Sequence, residues 1–170
     1  MNSMREIRIG KLTLNIGAGK DQVKLKKAEK LLKLITGITP VKTITQKRIA
    51  GWGLRPGLPI GCKITLRKKA ARELFVRLLK AKENKLPESC FDDSGNISFG
   101  IHEYIDIPDA KYDPEIGIIG LQTSITLERP GFRIKKRKLE KKKIPKTHKI
   151  SKQNAIDYFK KEFNVKVGED

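Results

Sequence analysis

The sequence is poor in cysteine, in aromatic residues and in long apolar runs, and each shortage excludes a class of protein. Its two cysteines, Cys62 and Cys90, form no CxxC pair and have no histidines at metal-ligand spacing. We therefore expect reduced thiols and neither a disulfide scaffold nor a zinc site. An uncharged run of 12 residues, 116–127, falls short of the roughly 18 that a membrane helix needs. Charged residues among the first ten argue against a signal peptide, so we expect a cytoplasmic protein that does not span a membrane.

Acidic residues are also scarce relative to basic ones. The 170 residues contain 38 Lys and Arg against 19 Asp and Glu, which gives a formal net charge of +19 at pH 7. The hydrophobic fraction of 38% still suffices for a folded core. A folded chain with this charge is typical of a nucleic-acid-binding protein.

The charge is unevenly distributed along the chain. Residues 1–85 have a net charge of +17, residues 86–120 of −7 and residues 121–170 of +9. Within residues 129–152 there are 12 basic residues and one acid. We predict a domain at 1–128 and a basic extension with a terminal helix at 129–170. The extension is either a solvated tail or a segment that orders against phosphates, through the cations Arg133, Lys135, Lys136, Arg137 and Lys138.

Alternation of apolar and polar residues predicts five strands. They lie at about residues 6–16, 40–46, 61–67, 96–102 and 121–127. Their expected core residues occupy alternate positions, as in Leu12, Leu14 and Ile16. Such strands, with helices inserted between hairpins, predict an α+β fold: a roughly five-stranded antiparallel sheet with helices on one face and a polar face on the other.

Helical periodicity predicts three helices. Asp21 is the expected N-cap and Gly37 the expected C-cap of the first, and Ser151 is the expected N-cap of the last. The expected buried residues are Val23, Ala28, Leu31, Leu32 and Ile35 in the first helix, Ala71, Leu74, Phe75 and Leu78 in the second, and Ala155, Ile156, Phe159 and Phe163 in the last.

The strand positions that alternate with the core residues carry hydroxyls, amides and cations. They are Lys11, Thr13 and Asn15, then Lys63, Thr65 and Arg67, then Gln122, Ser124 and Thr126. Such groups contact phosphates, ribose hydroxyls and base edges in folded RNA, although an ordinary solvated sheet face has the same pattern. The absence of aromatic residues here argues against a platform for stacking single strands.

Two connections stand out by composition. Residues 47–61 combine Lys47, Arg48 and Arg55 with Trp52, glycines and prolines, which predicts an exposed loop. Trp52 either packs the base of the loop or stacks on a nucleotide. The acidic loop 106–115 would repel RNA, so it is either a solvated loop or a contact for a basic protein partner, through Asp106, Asp109, Asp113 and Glu115.

Catalytic motifs are absent from the sequence. Residues 17–20, GAGK, lack the first glycine and the final Ser or Thr of a phosphate-binding loop, and residues 92–95 lack the ligand spacing of a calcium loop. His102 and His148 are isolated, and no Ser or Cys has an evident base. We expect neither an enzyme nor a cofactor.

Several motifs together resemble those of the fifth protein family of the large ribosomal subunit, universal L-five, called L-eleven in the eukaryotic cytosol. These are LNIGAGK at 14–20, LITGITPV at 34–41, RPGLPIGCKITLR at 55–67, GNISFGIHEYIDIP at 95–108 and YDPEIGIIGL at 112–121. The end of the chain, with TLERPGFRIKKRK and HKISKQNAIDYFKKEF, resembles archaeal and eukaryotic members.

The resemblance implies a structural protein that attaches 5S rRNA to large-subunit rRNA in the central protuberance. Asn15, Thr65 and Arg67 match the family's RNA-recognition positions, whereas Gln122 stands where many relatives have Asp. The family's loop at 47–57 approaches P-site tRNA, and its loop at 106–115 reaches a basic small-subunit protein across an intersubunit bridge. A neighbouring 5S-binding ribosomal protein is a further expected partner.

Two other functions remain open from the sequence alone. One is an RNA-modifying or tRNA-processing enzyme, which would need a pocket with perturbed titratable groups. The other is a DNA-compacting protein, which would rest on charge alone.

Overall fold

The structure, a computed structural model, describes residues 2–168. This part of the chain contains seven strands and four α-helices, in the order that follows. They are β1 (Arg8–Gly17), α1 (Gln22–Thr36), β2 (Val41–Ile44), β3 (Pro59–Leu66), α2 (Lys68–Lys80), β4 (Lys85–Pro87), β5 (Asn96–Ile101), β6 (Leu121–Glu128), α3 (Arg133–Lys136), α4 (Lys152–Phe163) and β7 (Lys166–Gly168).

Five of the strands form one antiparallel sheet in the order β2-β3-β1-β6-β5, and the predicted α+β class is confirmed. The apolar positions of its strands are buried, as the alternation predicts: Leu12, Leu14 and Ile16 are at most 3% exposed. Where β3 approaches β1, residue 61 is glycine, because an added Cβ would lie 2.7 Å from the Ile16 carbonyl oxygen. A side chain there would push the two strands apart.

The predicted caps of the helices are confirmed. The Asp21 carboxylate accepts hydrogen bonds from the backbone N–H groups of Val23 and Lys24, at 2.8 and 3.1 Å. Gly37 ends α1 with a φ of 71°, a left-handed conformation that suits glycine. The Ser151 hydroxyl accepts from the Asn154 N–H at 3.3 Å and begins α4. The contacts of Asp21 and Ser151 satisfy N–H groups that have no partner inside a helix.

Three details differ from the sequence-based expectation. Val23 is 65% exposed and Leu25 is buried in its place, because Leu25 lies three residues before Ala28, on the buried face of α1, whereas Val23 lies five residues before it, on another side of the helix. A short helix, α3, forms inside the basic extension. In addition, β4 and β7 form a separate two-stranded parallel sheet, with Leu86 paired to Val167. Three-residue strands are too short for alternation to reveal them.

The chain divides into two compact units. The first unit contains the residues up to Leu12, Arg67–Phe99 and the residues from Ser124 onward, and the second contains Thr13–Leu66 and Gly100–Thr123. In the second unit α1 packs on β3. The core of the first unit is aromatic: Phe159 of α4 lies 5.4 Å from Phe75 of α2 and 6.3 Å from Phe91, centroid to centroid. The terminal helix is therefore part of that unit's core.

Candidate nucleic-acid interface

In the second unit, the outward positions of β1 and β3 carry the predicted polar side chains. Thr13 and Asn15 are half-buried, and Lys63 and Thr65 are exposed, whereas the residues between them are buried. Because β1 and β3 are neighbours in the sheet, these four side chains lie on adjacent strands. The Asn15 amide donates to the Gln122 side-chain oxygen at 3.2 Å, so it already has a partner.

In the first unit, the same sheet carries further polar groups. Lys11 is half-buried on β1, and the hydroxyls of Ser98 and Ser124 lie 3.0 Å apart on β5 and β6. Arg67 is exposed immediately after β3, where it is the N-cap residue of α2. Thr126 is half-buried on β6. The structure thus leaves hydroxyls, amides and cations accessible on the side of the strands away from the core residues.

The glycine-rich loop has an ordered base and an exposed tip. Ile49 and Leu54 exchange backbone hydrogen bonds of 3.1 and 3.0 Å, and Leu54 is only 6% exposed. Trp52 is 70% exposed, so the residue that packs the base of the loop is Leu54, and the interpretation of Trp52 as a packing residue is wrong. The cations Lys47, Arg48 and Arg55 are also exposed.

The acidic loop is held by a lysine of α1. Lys30 Nζ lies 2.8 Å from Asp113 Oδ2 and also pairs with Glu115. The hydrogen bond from Lys30, and next the one from the Glu115 N–H, lowers the pKa of Asp113 from its ordinary value. The buried Tyr104 hydroxyl accepts from the Asp113 N–H at 2.9 Å. Two of the four predicted bridge residues therefore pair with Lys30, and the other two, Asp106 and Asp109, are exposed.

Side chains of the basic extension form hydrogen bonds with backbone carbonyl groups of the same segment. Arg129 donates to the carbonyls of His148 and Lys149, and His148 Nε2 lies 2.9 Å from the Pro130 carbonyl oxygen. Ile144 and Ile150 are buried. The sequence offers no indication of these contacts, because each joins residues that have no periodic relation to each other.

The five predicted cations of the extension differ in their surroundings. Lys136 pairs with Glu128, and the Arg137 Nε donates to the Glu140 carbonyl at 2.9 Å. Arg133, Lys135 and Lys138 are exposed and form no ion pair among the residues that the structure describes. The charged groups of these three are therefore available for phosphates.

The features considered for catalysis have structural explanations. The N–H groups of Ala18 and Gly19 both donate to the Ile60 carbonyl, so they are not available to hold a phosphate. Burial raises the pKa of the Cys62 thiol to about 11, which keeps it protonated near neutral pH. Within residues 2–168 there is no cluster of three or more His, Cys, Asp or Glu that would suit a metal ion. No helix in the same range is long and apolar enough to cross a membrane.

The fold and these surfaces define a basic α+β protein with an open polar sheet face. A family model described as ribosomal protein L5 matches residues 2–55, and a second model, for the C-terminus of the same ribosomal family, matches residues 59–158. The large ribosomal subunit protein uL5 of Sulfurisphaera tokodaii is 46% identical over 170 residues, which cover 99% of this chain and 96% of that protein. That of Nanoarchaeum equitans is 48% identical over 165 residues, covering 96% and 97% respectively.

The chain therefore belongs to the L5 family of ribosomal proteins, and to its archaeal type. This family is structural and not enzymatic, so the alternative of an RNA-modifying or tRNA-processing enzyme is set aside.

Proposed function

We propose that the chain binds 5S rRNA through the polar side of its sheet and attaches it to large-subunit rRNA. As a member of the L5 family it is a structural constituent of the large ribosomal subunit. The observation that carries the proposal is the accessible row of Thr13, Asn15, Lys63 and Thr65 on two neighbouring strands. Hydroxyls, amides and an ammonium group can donate hydrogen bonds to the phosphate and ribose oxygens of folded RNA. In the first unit, Lys11 on β1 and Arg67 immediately after β3 add two cations.

The basic extension is proposed to contact large-subunit rRNA. Of the five predicted cations, Arg133, Lys135 and Lys138 have available donors, whereas Lys136 and Arg137 are partly neutralised within the chain. Several like charges within one short segment repel one another unless a polyanion neutralises them. We therefore assign the main rRNA contacts to the first three and a smaller share to the other two.

The loop with Lys47, Arg48, Trp52 and Arg55 is proposed to reach P-site tRNA. Its ordered base and exposed tip support this role, because the tip can contact a partner without disturbing the sheet. An exposed indole beside cations suits a tRNA surface of phosphates and bases.

The acidic loop is proposed to contact a basic small-subunit protein at an intersubunit bridge. Asp113 and Glu115 pair with Lys30, and Asp106 and Asp109 are exposed. The ion pairs fix one end of the loop, and the exposed Asp106 carboxylate supplies charge complementary to a basic partner. Contact with a neighbouring 5S-binding ribosomal protein belongs to the same proposal, although no residue is assigned to it.

Filter binding to 5S rRNA tests the central proposal. The double variant Lys63→Gln with Thr65→Ala changes two exposed strand residues, and Lys33→Gln on α1 is the control with an equal change of charge. We expect the double variant to weaken binding several-fold and to reduce the salt slope by roughly 0.7 to 0.9, as one lost phosphate contact predicts. Equal affinity of the double variant and the control would refute the assignment of the sheet face.

A further inference from the structure

The first unit has an open cleft that none of the proposed contacts uses, apart from Arg67. Its volume is about 1230 Å³, and its walls are the segment before β1, the start of β1, the start of α2, the end of β6 and one side of α4. Sites for small ligands occupy roughly 300 to 1,000 Å³, so this cleft is large enough for a nucleotide and its flanking phosphates.

The charge in the cleft is predominantly positive. Seven cations line it against four acids. Three of the acids already have partners: Glu162 pairs with Arg72 at 2.9 Å, Glu128 pairs with Lys136, and Asp157 accepts a hydrogen bond from the Gln153 amide. The cations without an ion pair among the described residues come from separate elements and include Arg5, Arg8, Lys68 and Lys161. Because they come from the N-terminal segment, β1, α2 and α4, their convergence is a property of the folded unit.

The start of α2 adds to this positive potential. The N-cap residue Arg67 makes no side-chain hydrogen bond to the helix, and the first turn contains no acid. Cations at Lys68 and Lys69 stand at the positive end of the helix dipole, where they are unfavourable. Lys68 also has a φ of 55°, in the left-handed region. A phosphate bound between these cations would offset the repulsion.

The cleft also contains apolar surface suited to a base or a ribose. Ile7, Ile9 and Tyr158 line it, and all three are half-buried. A paired duplex exposes phosphates and groove edges, but it does not offer a base to a concave apolar wall. An unpaired nucleotide offers both a planar base and two flanking phosphates. The combination of cations and apolar wall therefore favours unpaired RNA over a duplex or an acidic peptide.

We propose that this cleft binds an unpaired nucleotide of large-subunit rRNA, with its flanking phosphates held by Arg5, Arg8, Lys68 and Lys161. This site is separate from the strand residues Thr13, Asn15, Lys63 and Thr65 proposed for 5S rRNA. It rests on the proposed function only in that the protein binds ribosomal RNA.

Chemical footprinting of deproteinised large-subunit rRNA by the full chain is the test. The cleft variant is Arg8→Gln with Lys68→Gln and Lys161→Gln. The control removes three exposed cations of the same unit that do not line the cleft: Lys80→Gln, Lys160→Gln and Lys166→Gln. We expect at least one nucleotide that is unpaired in the free rRNA to be protected by the original chain and the control, and to become reactive with the cleft variant. Affinity should fall about tenfold and the salt slope by roughly 2, as three lost phosphate contacts predict.

A second variant separates binding from folding. Lys68→Gly removes the charge, and glycine adopts a positive φ at lower cost than lysine, so the melting temperature should stay equal or rise while rRNA affinity falls two- to fivefold. The proposal would be overturned if the cleft variant and the control gave the same footprint, or if only paired nucleotides were protected. It would also be overturned if a polyglutamate peptide competed with the rRNA equally well. The variant Lys63→Gln with Thr65→Ala should retain the cleft footprint. Its effect on 5S rRNA binding therefore tests the sheet-face proposal independently of the cleft proposal.

Discussion

Lys30 of α1 and Asp113 of the acidic loop form an ion pair, with 2.8 Å between Nζ and Oδ2, and Lys30 also pairs with Glu115. One lysine thus restrains a loop that carries several like charges. The backbone N–H of Asp113 also donates to the buried Tyr104 hydroxyl. The loop is therefore attached both to α1 and to the core of the second unit.

Replacing Lys30 with Gln should loosen the acidic loop without unfolding the second unit. Hydrogen exchange of the Asp113 amide, which donates to Tyr104, should become faster, while that of the α1 core amides stays unchanged. Lys33→Gln on the same helix is the control, since Lys33 has no ion pair among the described residues. Unchanged exchange at Asp113 would show that the ion pair does not hold the loop.

Acid should release the same loop. The pKa of Asp113 is lowered from 3.8, chiefly by the hydrogen bond from Lys30, so the pair contributes its full stabilisation above 3.8. That contribution is lost as the pH falls through the lowered pKa, because the unfolded carboxylate then binds a proton more readily than the folded one. An NMR titration of the Asp113 side chain in the original chain and in Lys30→Gln measures it. The variant should titrate closer to 3.8, and identical midpoints would contradict the assigned cause.

The terminal helix should be essential to the stability of the first unit. Phe159 is 0% exposed and packs against Phe75 and Phe91, so Phe159→Ala should lower the free energy of unfolding by about 3–5 kcal/mol. Urea denaturation followed by circular dichroism measures this change. Lys160→Ala, the exposed neighbour on the same helix, should cost less than about 0.5 kcal/mol. A small effect of Phe159→Ala would mean that α4 is only loosely attached to the unit.

The loop proposed for tRNA should tolerate loss of its tryptophan. Because Trp52 is 70% exposed and Leu54 packs the base, Trp52→Ala should leave folding and 5S rRNA content unchanged. Retention of P-site tRNA should weaken by about 1 kcal/mol or less, the size of a single exposed contact. Footprinting of tRNA on variant ribosomes measures it. Leu54→Ala is the contrasting variant, since it should destabilise the loop itself, and an unaltered tRNA footprint with Trp52→Ala would remove Trp52 from the proposed contact.

The cations of the extension should act mainly during incorporation into the large subunit. Changing Arg133, Lys135 and Lys138 to Gln removes those of the five predicted cations that have no ion pair among the described residues. Incorporation, measured by co-sedimentation with large subunits, should fall more than binding to isolated 5S rRNA. Changing Lys136 and Arg137 instead should have a smaller effect on incorporation, because both have partners within the chain. Equal losses in the two assays would place the extension in the 5S rRNA site.

Local sequence patterns predict most of the sheet and the helix ends, because alternation and caps depend on residues close together in the chain. The five main strands and the caps at Asp21, Gly37 and Ser151 are confirmed. The expected burial of Val23 is wrong, because Val23 lies off the helical face that Leu25, Ala28 and Leu32 form. The boundary predicted after residue 128 stays a prediction.

By itself, the sequence determined the excess of positive charge, its separation into basic and acidic regions, and the alternation that leaves one side of each strand polar. Only the tertiary structure decided that β1 lies between β3 and β6, that Lys30 meets Asp113, and that cations from four separate segments line one cleft. The physical reason is that composition and periodicity are properties of neighbouring residues. Pairing between distant segments depends instead on which strands and helices can bury their apolar faces together, and no single segment encodes that choice.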